Sequence, residues 1–133
     1  MHIIQEDLAK QSIRSYSANH INVDGINYQH SIIINRQTII PNWPILCVGE
    51  LYLELLTPLL ALQPEIILIG HNSMMVYPPI ATLELLSKQR IGIECMSIGA
   101  ASSTYNLLLN EGRNIVVGFI LPMKKAAIVT KNQ

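Results

Sequence analysis

The chain has 133 residues, of which 50% are hydrophobic and only 14% are charged, and its 9 basic residues balance 9 acidic ones. This length suits a single domain, and the abundance of Ile, Leu and Val excludes extended disorder. The balanced charge, without a basic cluster, excludes general binding to nucleic acid or to an anionic membrane surface. We therefore expect one folded α/β domain with unusually little charge.

The N-terminal residues and the cysteines indicate a cytoplasmic protein. Residues 1–7 contain acids where a signal peptide has a basic region followed by an apolar run, and no apolar stretch approaches the ~20 residues of a transmembrane helix. Cys47 and Cys95 lie among apolar residues without Cys-x-x-Cys spacing, which favours buried thiols over a disulfide or a metal pair. We predict a loosely ordered lead-in at residues 1–11 and a C-terminal tail at residues 122–133.

Residues 12–40 have the pattern of antiparallel strands. Short alternations of apolar and polar residues flank Asp24 and Gly25, which predict a two-residue hairpin turn because both turn positions need positive φ. Two β-branched runs, at 31–34 and 38–40, are separated by three polar residues and predict a second turn. This part of the chain therefore predicts an antiparallel annex.

From residue 51 the pattern changes to alternating helices and strands. Leucines on one helical face predict helices, and continuous apolar runs predict strands that are buried on both faces of a sheet. Such alternation with short connections implies parallel strands and right-handed crossovers. The predicted elements are a helix at 51–62 with Pro58 inside it, a strand at 66–70, a helix at 80–88, a strand at 91–96, a helix at 100–110 closed by Gly112, and a strand at 115–121.

Small and polar residues follow two of the predicted parallel strands. Because the carboxyl ends of parallel strands meet at one edge of a sheet, these residues predict an anion-sized crevice against a helix N-terminus. Ordinary strand-to-helix turns have the same composition without any ligand, and this interpretation stays open. The candidate crevice residues are Gly70, His71, Asn72, Ser97, Ser102 and Ser103.

Catalytic and cofactor motifs are missing from the sequence. It contains no phosphate-binding glycine loop and no Gly-x-Ser-x-Gly, and its 4 histidines show no helical i, i+4 pairing. We therefore expect no metal and no cofactor, and a non-catalytic role is favoured over an enzyme. His71 alone lies where an acid–base group would be useful, although a lone loop histidine is usually a surface residue.

A carboxylate inside a predicted buried strand requires a partner or a raised pKa. Glu94 occupies such a position, and Arg113 or Tyr105 is its expected partner. A structural ion pair and a perturbed general base are both compatible with this pattern. Asn106 and Glu111, from the same helix and turn, complete the predicted polar cluster.

Two apolar segments are expected on the surface. Met74, Met75 and Tyr77 lie in a loop that ends in two prolines, and Trp43 lies between Pro41 and Pro44. Exposed apolar loops mark partner surfaces more often than catalytic sites. We therefore expect a protein partner or self-association.

The residues Gly92-Ile93-Glu94-Cys95-Met96, together with Thr104-Tyr105-Asn106 and Glu111-Gly112-Arg113, resemble the Mth-type domain family. This family includes the adipogenesis-associated Mth-domain protein and a mitochondrial complex I assembly factor. The resemblance covers residues 12–121 by the order of elements. It implies a single three-layer α/β domain, with a mixed central sheet flanked by helices and a small N-terminal antiparallel element. It implies no established reaction.

Two departures from the family pattern concern the predicted crevice. The family usually has Gly-Thr-Gly after the central strand, where this chain has Gly70-His71-Asn72. It usually has Ala-Ala-Cys-Arg where this chain has Ala100-Ala101-Ser102-Ser103. Chemistry that depends on that Cys or Arg would therefore be absent from this chain.

The sequence thus favours a non-catalytic binding or assembly protein, related to the assembly of respiratory complex I or of another membrane complex. The alternative is a small-molecule, anion-binding protein or enzyme that uses the crevice. A homodimer formed through the 74–77 loop is compatible with either function.

Overall fold

The computed structural model describes residues 11–74 and 76–122. The predicted lead-in and tail lie almost entirely outside these residues. Within them the predicted order of strands and helices is confirmed. In chain order the elements are β1 (Ile13–Tyr16), β2 (Ile21–Val23), β3 (Ile26–Tyr28), β4 (Ile32–Ile34), β5 (Ile39–Ile40), a 3-10 turn (Val48–Glu50), α1 (Leu53–Leu60), β6 (Ile66–Gly70), α2 (Ile80–Lys88), β7 (Gly92–Met96), α3 (Ile98–Asn110) and β8 (Ile115–Phe119).

The strands form two sheets. The first contains β1, β2 and β3 as antiparallel neighbours, and the second has the strand order β5-β4-β8-β6-β7. β6 runs parallel to both β7 and β8, whereas β4 runs antiparallel to β5 and β8. The central sheet is therefore mixed, as the family resemblance implies, and β7 is its outer strand on the parallel side.

Both predicted turns are present. Asp24 and Gly25 have φ of 51° and 96° and join β2 to β3, so both turn residues adopt the left-handed conformation. Between β4 and β5 the side chain of Asn35 accepts hydrogen bonds from the backbone N–H groups of Gln37 and Thr38, at 2.9 and 2.7 Å. The side-chain oxygen of Asn35 thus takes the place of a backbone acceptor for these two N–H groups, and it stabilises the turn.

Successive residues of the central strands supply two separate cores. In β4, β6 and β8 one set of side chains packs against α3 and the first sheet, and the alternate set packs against α1 and α2. This arrangement follows from the two-residue period of a strand, since neighbouring side chains point to opposite faces. The result is the expected three-layer domain, with β6 and β8 buried on both faces.

The helix predicted at 51–62 is shorter than its leucine pattern indicates. Tyr52 is extended, and α1 begins only at Leu53. Leu51 is fully buried, and its carbonyl accepts a hydrogen bond of 2.5 Å from Oγ1 of Thr82 in α2. Because this carbonyl is held by another helix, Leu51 lies outside the helix that its spacing predicts.

Trp43 lies in the core, so the expectation that it is exposed was wrong. Its side chain is 3% exposed, and its indole N–H donates to the backbone oxygen of Leu55 at 3.1 Å. The ring packs directly on the backbone of Gly118 in β8, where a Cβ atom would lie 2.5 Å from it. The missing side chain at position 118 therefore provides the space for the ring.

We expect Gly118→Ala to destabilise the domain, because the new methyl group displaces the buried Trp43 ring. Overpacking of this kind costs about 1–3 kcal/mol of unfolding free energy, which urea denaturation measures as a lower midpoint. Gly49→Ala is the matched control, since a Cβ there meets only ordinary contacts of 3.8 and 3.9 Å. Equal midpoints for both variants would contradict this account of the Trp43 site.

Candidate functional site

A pocket of about 610 Å³ lies at the carboxyl ends of β6 and β7. His71, Asn72 and Ser97 line it, so the structure brings together three of the six predicted crevice residues. Its other walls are mainly apolar and come from the loop after β6, from α2 and from β7. These apolar residues include Met74, Val76, Tyr77, Leu83, Ile93 and Met96.

His71 is held in one orientation at the base of this pocket. Its side chain is 9% exposed, and its backbone N–H donates to the oxygen of Met96 at 2.9 Å. Its Nδ1 accepts a hydrogen bond from the N–H of Ser73 at 3.2 Å, so the neutral ring carries its proton on Nε2. Burial lowers the pKa of His71. The expectation of a surface histidine was therefore wrong: this side chain is largely buried, and its neutral ring accepts a hydrogen bond from the backbone.

The N-terminus of α3, which borders the pocket, is capped by the protein itself. Asn72 Oδ1 accepts a long hydrogen bond of 3.5 Å from the N–H of Ile98, and Ser97 Oγ accepts one of 3.1 Å from Ala100. The described residues that line the pocket include no Lys or Arg. Because these two N–H groups are satisfied and no described lining residue carries a positive charge, the geometry suits a neutral or apolar group better than the anion expected from the sequence.

The other three predicted crevice residues lie elsewhere. Ser102 is buried, and its hydroxyl donates to the oxygen of Ile98 at 2.8 Å within α3. Ser103 lines a separate groove beside β1. Gly70 is enclosed, since a Cβ atom there would lie 2.8 Å from both Ala101 and Phe119. The helical period explains the two serines: one turn beyond the α3 N-terminus, their side chains no longer point toward the pocket.

The predicted cluster around Glu94 does not form. Glu94 is exposed because β7 is the outer strand of the sheet, and an exposed carboxylate needs no buried partner. Arg113 instead pairs with Glu65, at 3.4 Å on the surface, where an ion pair contributes little to stability. Tyr105 is fully buried in the core, and Glu111 is exposed at the C-cap of α3.

Asn106 joins β1 to α3. Its Oδ1 accepts a hydrogen bond from the N–H of Ile13, and its Nδ2 donates to the oxygen of the same residue, both at 2.8 Å. This pair replaces the backbone partners that a neighbouring strand would provide. Asn106, which belongs to the Tyr-Asn pair of the family resemblance, therefore has a structural role.

The apolar surface near the pocket is larger than the sequence indicates. Met74 and Tyr77 are 85% and 67% exposed, as expected, whereas Met75 lies outside the described residues. Ile80 and Leu83 of α2, 73% and 37% exposed, extend the same surface and were missed. Ile80 and Leu83 lie three residues apart in α2, and this spacing was the available signal, since residues three apart share a helix face. We call Met74, Tyr77, Ile80 and Leu83 the apolar rim.

Cys95 also lines the pocket, but its thiol is poorly activated. Burial, and secondarily the negative charge of Glu94, raise its pKa to about 11. Cys47 and Cys95 are both free and partly buried. Among residues 11–74 and 76–122, no three His, Cys, Asp or Glu side chains are placed to hold a metal ion.

The chain is similar to a family of uncharacterised proteins over nearly all of the described fold. Residues 13–120 match the family described as protein of unknown function (DUF498/DUF598). The chain belongs to this family. A protein of Francisella tularensis subsp. holarctica (strain LVS), described as a 13 kDa major membrane protein, is 32% identical to this chain over 92 residues, which cover 66% of this chain and 72% of that protein.

Solved structures agree with the DUF498/DUF598 assignment. An NMR structure from Xanthomonas campestris has a TM-score of 0.78 and 29% identity, covering 86% of this chain and 87% of that one. A Bordetella pertussis protein described as an Mth938-like domain has a TM-score of 0.73 at 21% identity over 92% of each chain, which shows the shared fold. The resemblance to the Mth-type domain family is thereby confirmed. None of the helices in the described residues has the length and apolarity needed to cross a bilayer.

We expect His71 to make the stability of the domain depend on pH. Its pKa is lowered in the folded state, so the unfolded chain takes up a proton first, near the unperturbed value of about 6.5. The stabilisation is therefore complete above about pH 6.5 and declines as the pH falls through the lower pKa of the folded state. Urea denaturation at several pH values should show a smaller decline for His71→Asn, which keeps an acceptor for the Ser73 N–H. An identical decline in both proteins would refute this expectation.

Two neighbouring side chains of α3 should respond in opposite ways to truncation. The Tyr105 hydroxyl is buried without a hydrogen-bond partner among the described residues, so Tyr105→Phe should leave the unfolding free energy unchanged or raise it. Asn106→Ala should cost about 1–3 kcal/mol, because it leaves two backbone groups of Ile13 unpaired. Thermal or urea unfolding distinguishes these results, and a comparable loss in both variants would show that the hydroxyl is bonded.

Proposed function

We propose that this protein is a non-catalytic binding protein that holds a partner protein against the apolar rim and the adjoining pocket. The observation that carries this proposal is the exposure of Met74, Tyr77 and Ile80, each at least 67% exposed, beside a pocket of about 610 Å³. Leu83 lies at the edge of this surface and also lines the pocket. Burying such side chains contributes about 1.5–3 kcal/mol each, which is the usual energetic basis of a protein interface.

The chemistry of the pocket favours binding over catalysis. The Nδ1 of His71 is engaged by the Ser73 N–H, and no carboxylate among the described residues orients the ring as in a catalytic pair. The Cys95 thiol, with a pKa of about 11, is almost wholly protonated at neutral pH. An activated nucleophile is therefore missing from the described walls, whereas apolar contact area is abundant.

The client of such a surface would be a subunit of a larger assembly. A mitochondrial protein of the Mth-type domain family, which this chain resembles, acts in the assembly of respiratory complex I. The Francisella relative is described as a major membrane protein. Both are compatible with a client that belongs to complex I or to another membrane complex. The apolar rim would cover a surface of that client before the complex is complete.

A neutral small molecule is the second candidate for the pocket. The Nε2–H of His71 donates to no acceptor among the described residues and is accessible to solvent, so a ligand carbonyl or hydroxyl would accept from it in place of water. The volume of about 610 Å³ falls within the usual range of ligand pockets, about 300–1,000 Å³. A ligand of this class would shift the His71 ring resonances without requiring contact with Met74 or Ile80.

Site-specific photo-crosslinking in the cell of origin tests partner binding. A benzophenone amino acid at position 77 should form a discrete adduct with another protein, and Leu83→Asp should abolish the adduct because it places a charge in the apolar contact. The same crosslinker at Leu107 is the matched control, since Leu107 is 59% exposed on α3, on the other side of the sheet.

The outcome depends on the selectivity of the adduct. Equal adducts at positions 77 and 107, or an adduct that persists in the folded Leu83→Asp protein, would contradict the proposal. An adduct with twice the mass of the chain would show that the bound protein is a second copy of this chain. This result would contradict the proposal of a different partner protein.

A further inference from the structure

Next to the pocket, the outer edge of β7 pairs with no strand among residues 11–74 and 76–122. The N–H of Gly92 donates to the oxygen of Glu65 at 3.0 Å, and the oxygen of Met96 accepts from the N–H of His71 at 2.9 Å, so both residues bond toward β6. In a parallel ladder alternate residues bond to the same neighbour. Glu94 therefore also bonds toward β6, whereas the N–H and C=O groups of Ile93 and Cys95 point away from the sheet.

The two residues with outward backbone groups also contribute side chains to the pocket wall. Ile93 and Cys95 line the pocket together with Leu83, on the α2 side of the sheet. Glu94, between them, points to the opposite face, because neighbouring side chains of a strand alternate. A strand added to β7 would thus place two alternate side chains over the pocket and the residue between them beside Glu94.

This edge differs from the other edge of the central sheet. β5, at the far side, has two residues, and very short edge strands are a common protection against unwanted pairing. β7 has five residues and contains no proline. Its one charged side chain, Glu94, is exposed and decides which strands can pair with it.

A second copy of the chain fits this edge poorly. Antiparallel pairing of two β7 strands that uses both outward residues places Ile93 opposite Cys95, and therefore Glu94 opposite Glu94. Directly opposed like charges destabilise a strand pair. A strand with a basic residue at this position gains an attraction instead, so charge complementarity favours a different protein as the partner.

We propose that β7 binds an extended segment of a partner protein as an additional strand, with a Lys or Arg of that segment opposite Glu94 and an apolar residue on each side of it. The inference rests on the proposed function, since the two apolar residues occupy the pocket beside Leu83. The outward N–H and C=O groups of Ile93 and Cys95 provide up to four main-chain hydrogen bonds. Main-chain bonds of this kind contribute affinity, and the alternate side chains contribute specificity.

Two synthetic peptides test this mode of binding. One contains Thr-Val-Lys-Val-Thr and the matched control contains Thr-Val-Glu-Val-Thr; both sequences are palindromic and suit either strand direction. In amide NMR titrations of the full chain, the Lys peptide should bind roughly three- to ten-fold more tightly than the Glu peptide. It should also slow the exchange of the Ile93 and Cys95 amide protons. Glu94→Lys should reverse the preference.

A backbone variant separates strand addition from contact with the pocket. Ile93→Pro removes an N–H that points away from β6, a position that edge strands tolerate, and it should abolish binding of both peptides while the fold is retained. Thermal unfolding checks the fold. The exposed Glu94→Lys variant keeps the proposal testable if Ile93→Pro does not fold.

Three results would overturn the inference. These are binding without preference for either charge, shifts at Leu83 and Tyr77 without protection of the Ile93 and Cys95 amides, and no saturable binding of either peptide up to about 1 mM. The second result leaves the proposed function intact, because the apolar rim then binds without an added strand. For each of these three results, the crosslinking experiment tests separately whether the apolar rim binds a partner protein.

Discussion

The burial of β6 and β8 on both faces is the constraint on which the rest of the structure depends. Their alternate side chains enter two different cores, and each core requires its own covering layer. α3 with the small antiparallel sheet covers one face, and α1, α2 and the segment containing Trp43 cover the other. Both faces are thereby used for stability, so the central sheet itself remains accessible only at its strand ends and along its edges. The pocket and the β7 edge lie in these places.

Local sequence patterns were sufficient to predict the strands, helices and turns, but not the position of each strand in the sheet. Asp24 and Gly25 predicted their turn because the required φ angles depend on these residues alone. Glu94 was misjudged because a strand that is apolar at alternate positions can be central or outer, and only the strand order decides which. Trp43 was misjudged for a related reason, since its space comes from Gly118, 75 positions away in the sequence.

The candidate site was predictable to the extent that it follows from sheet geometry. His71 and Ser97 meet because parallel strands end at the same edge. Ser102 and Ser103 do not, since the rotation of α3 directs them elsewhere. The chemical nature of the pocket was not predictable, because it depends on which N–H groups are already capped and on whether a cation reaches the wall. Those contacts join residues from different elements. For example, Asn72 in the loop after β6 accepts a hydrogen bond from the N–H of Ile98 in the first turn of α3.

The low charge of the chain acquires a specific meaning at the β7 edge. With 14% charged residues and apolar side chains beside an open strand, this edge would be prone to indiscriminate pairing. A single exposed carboxylate at Glu94 costs little in the free protein because water solvates it. The same carboxylate opposes the chain's own copy in the register that uses both open residues, and it favours a basic residue in a partner. In the complex that we propose, the apolar rim would supply affinity without selectivity, and Glu94 would supply selectivity with little affinity.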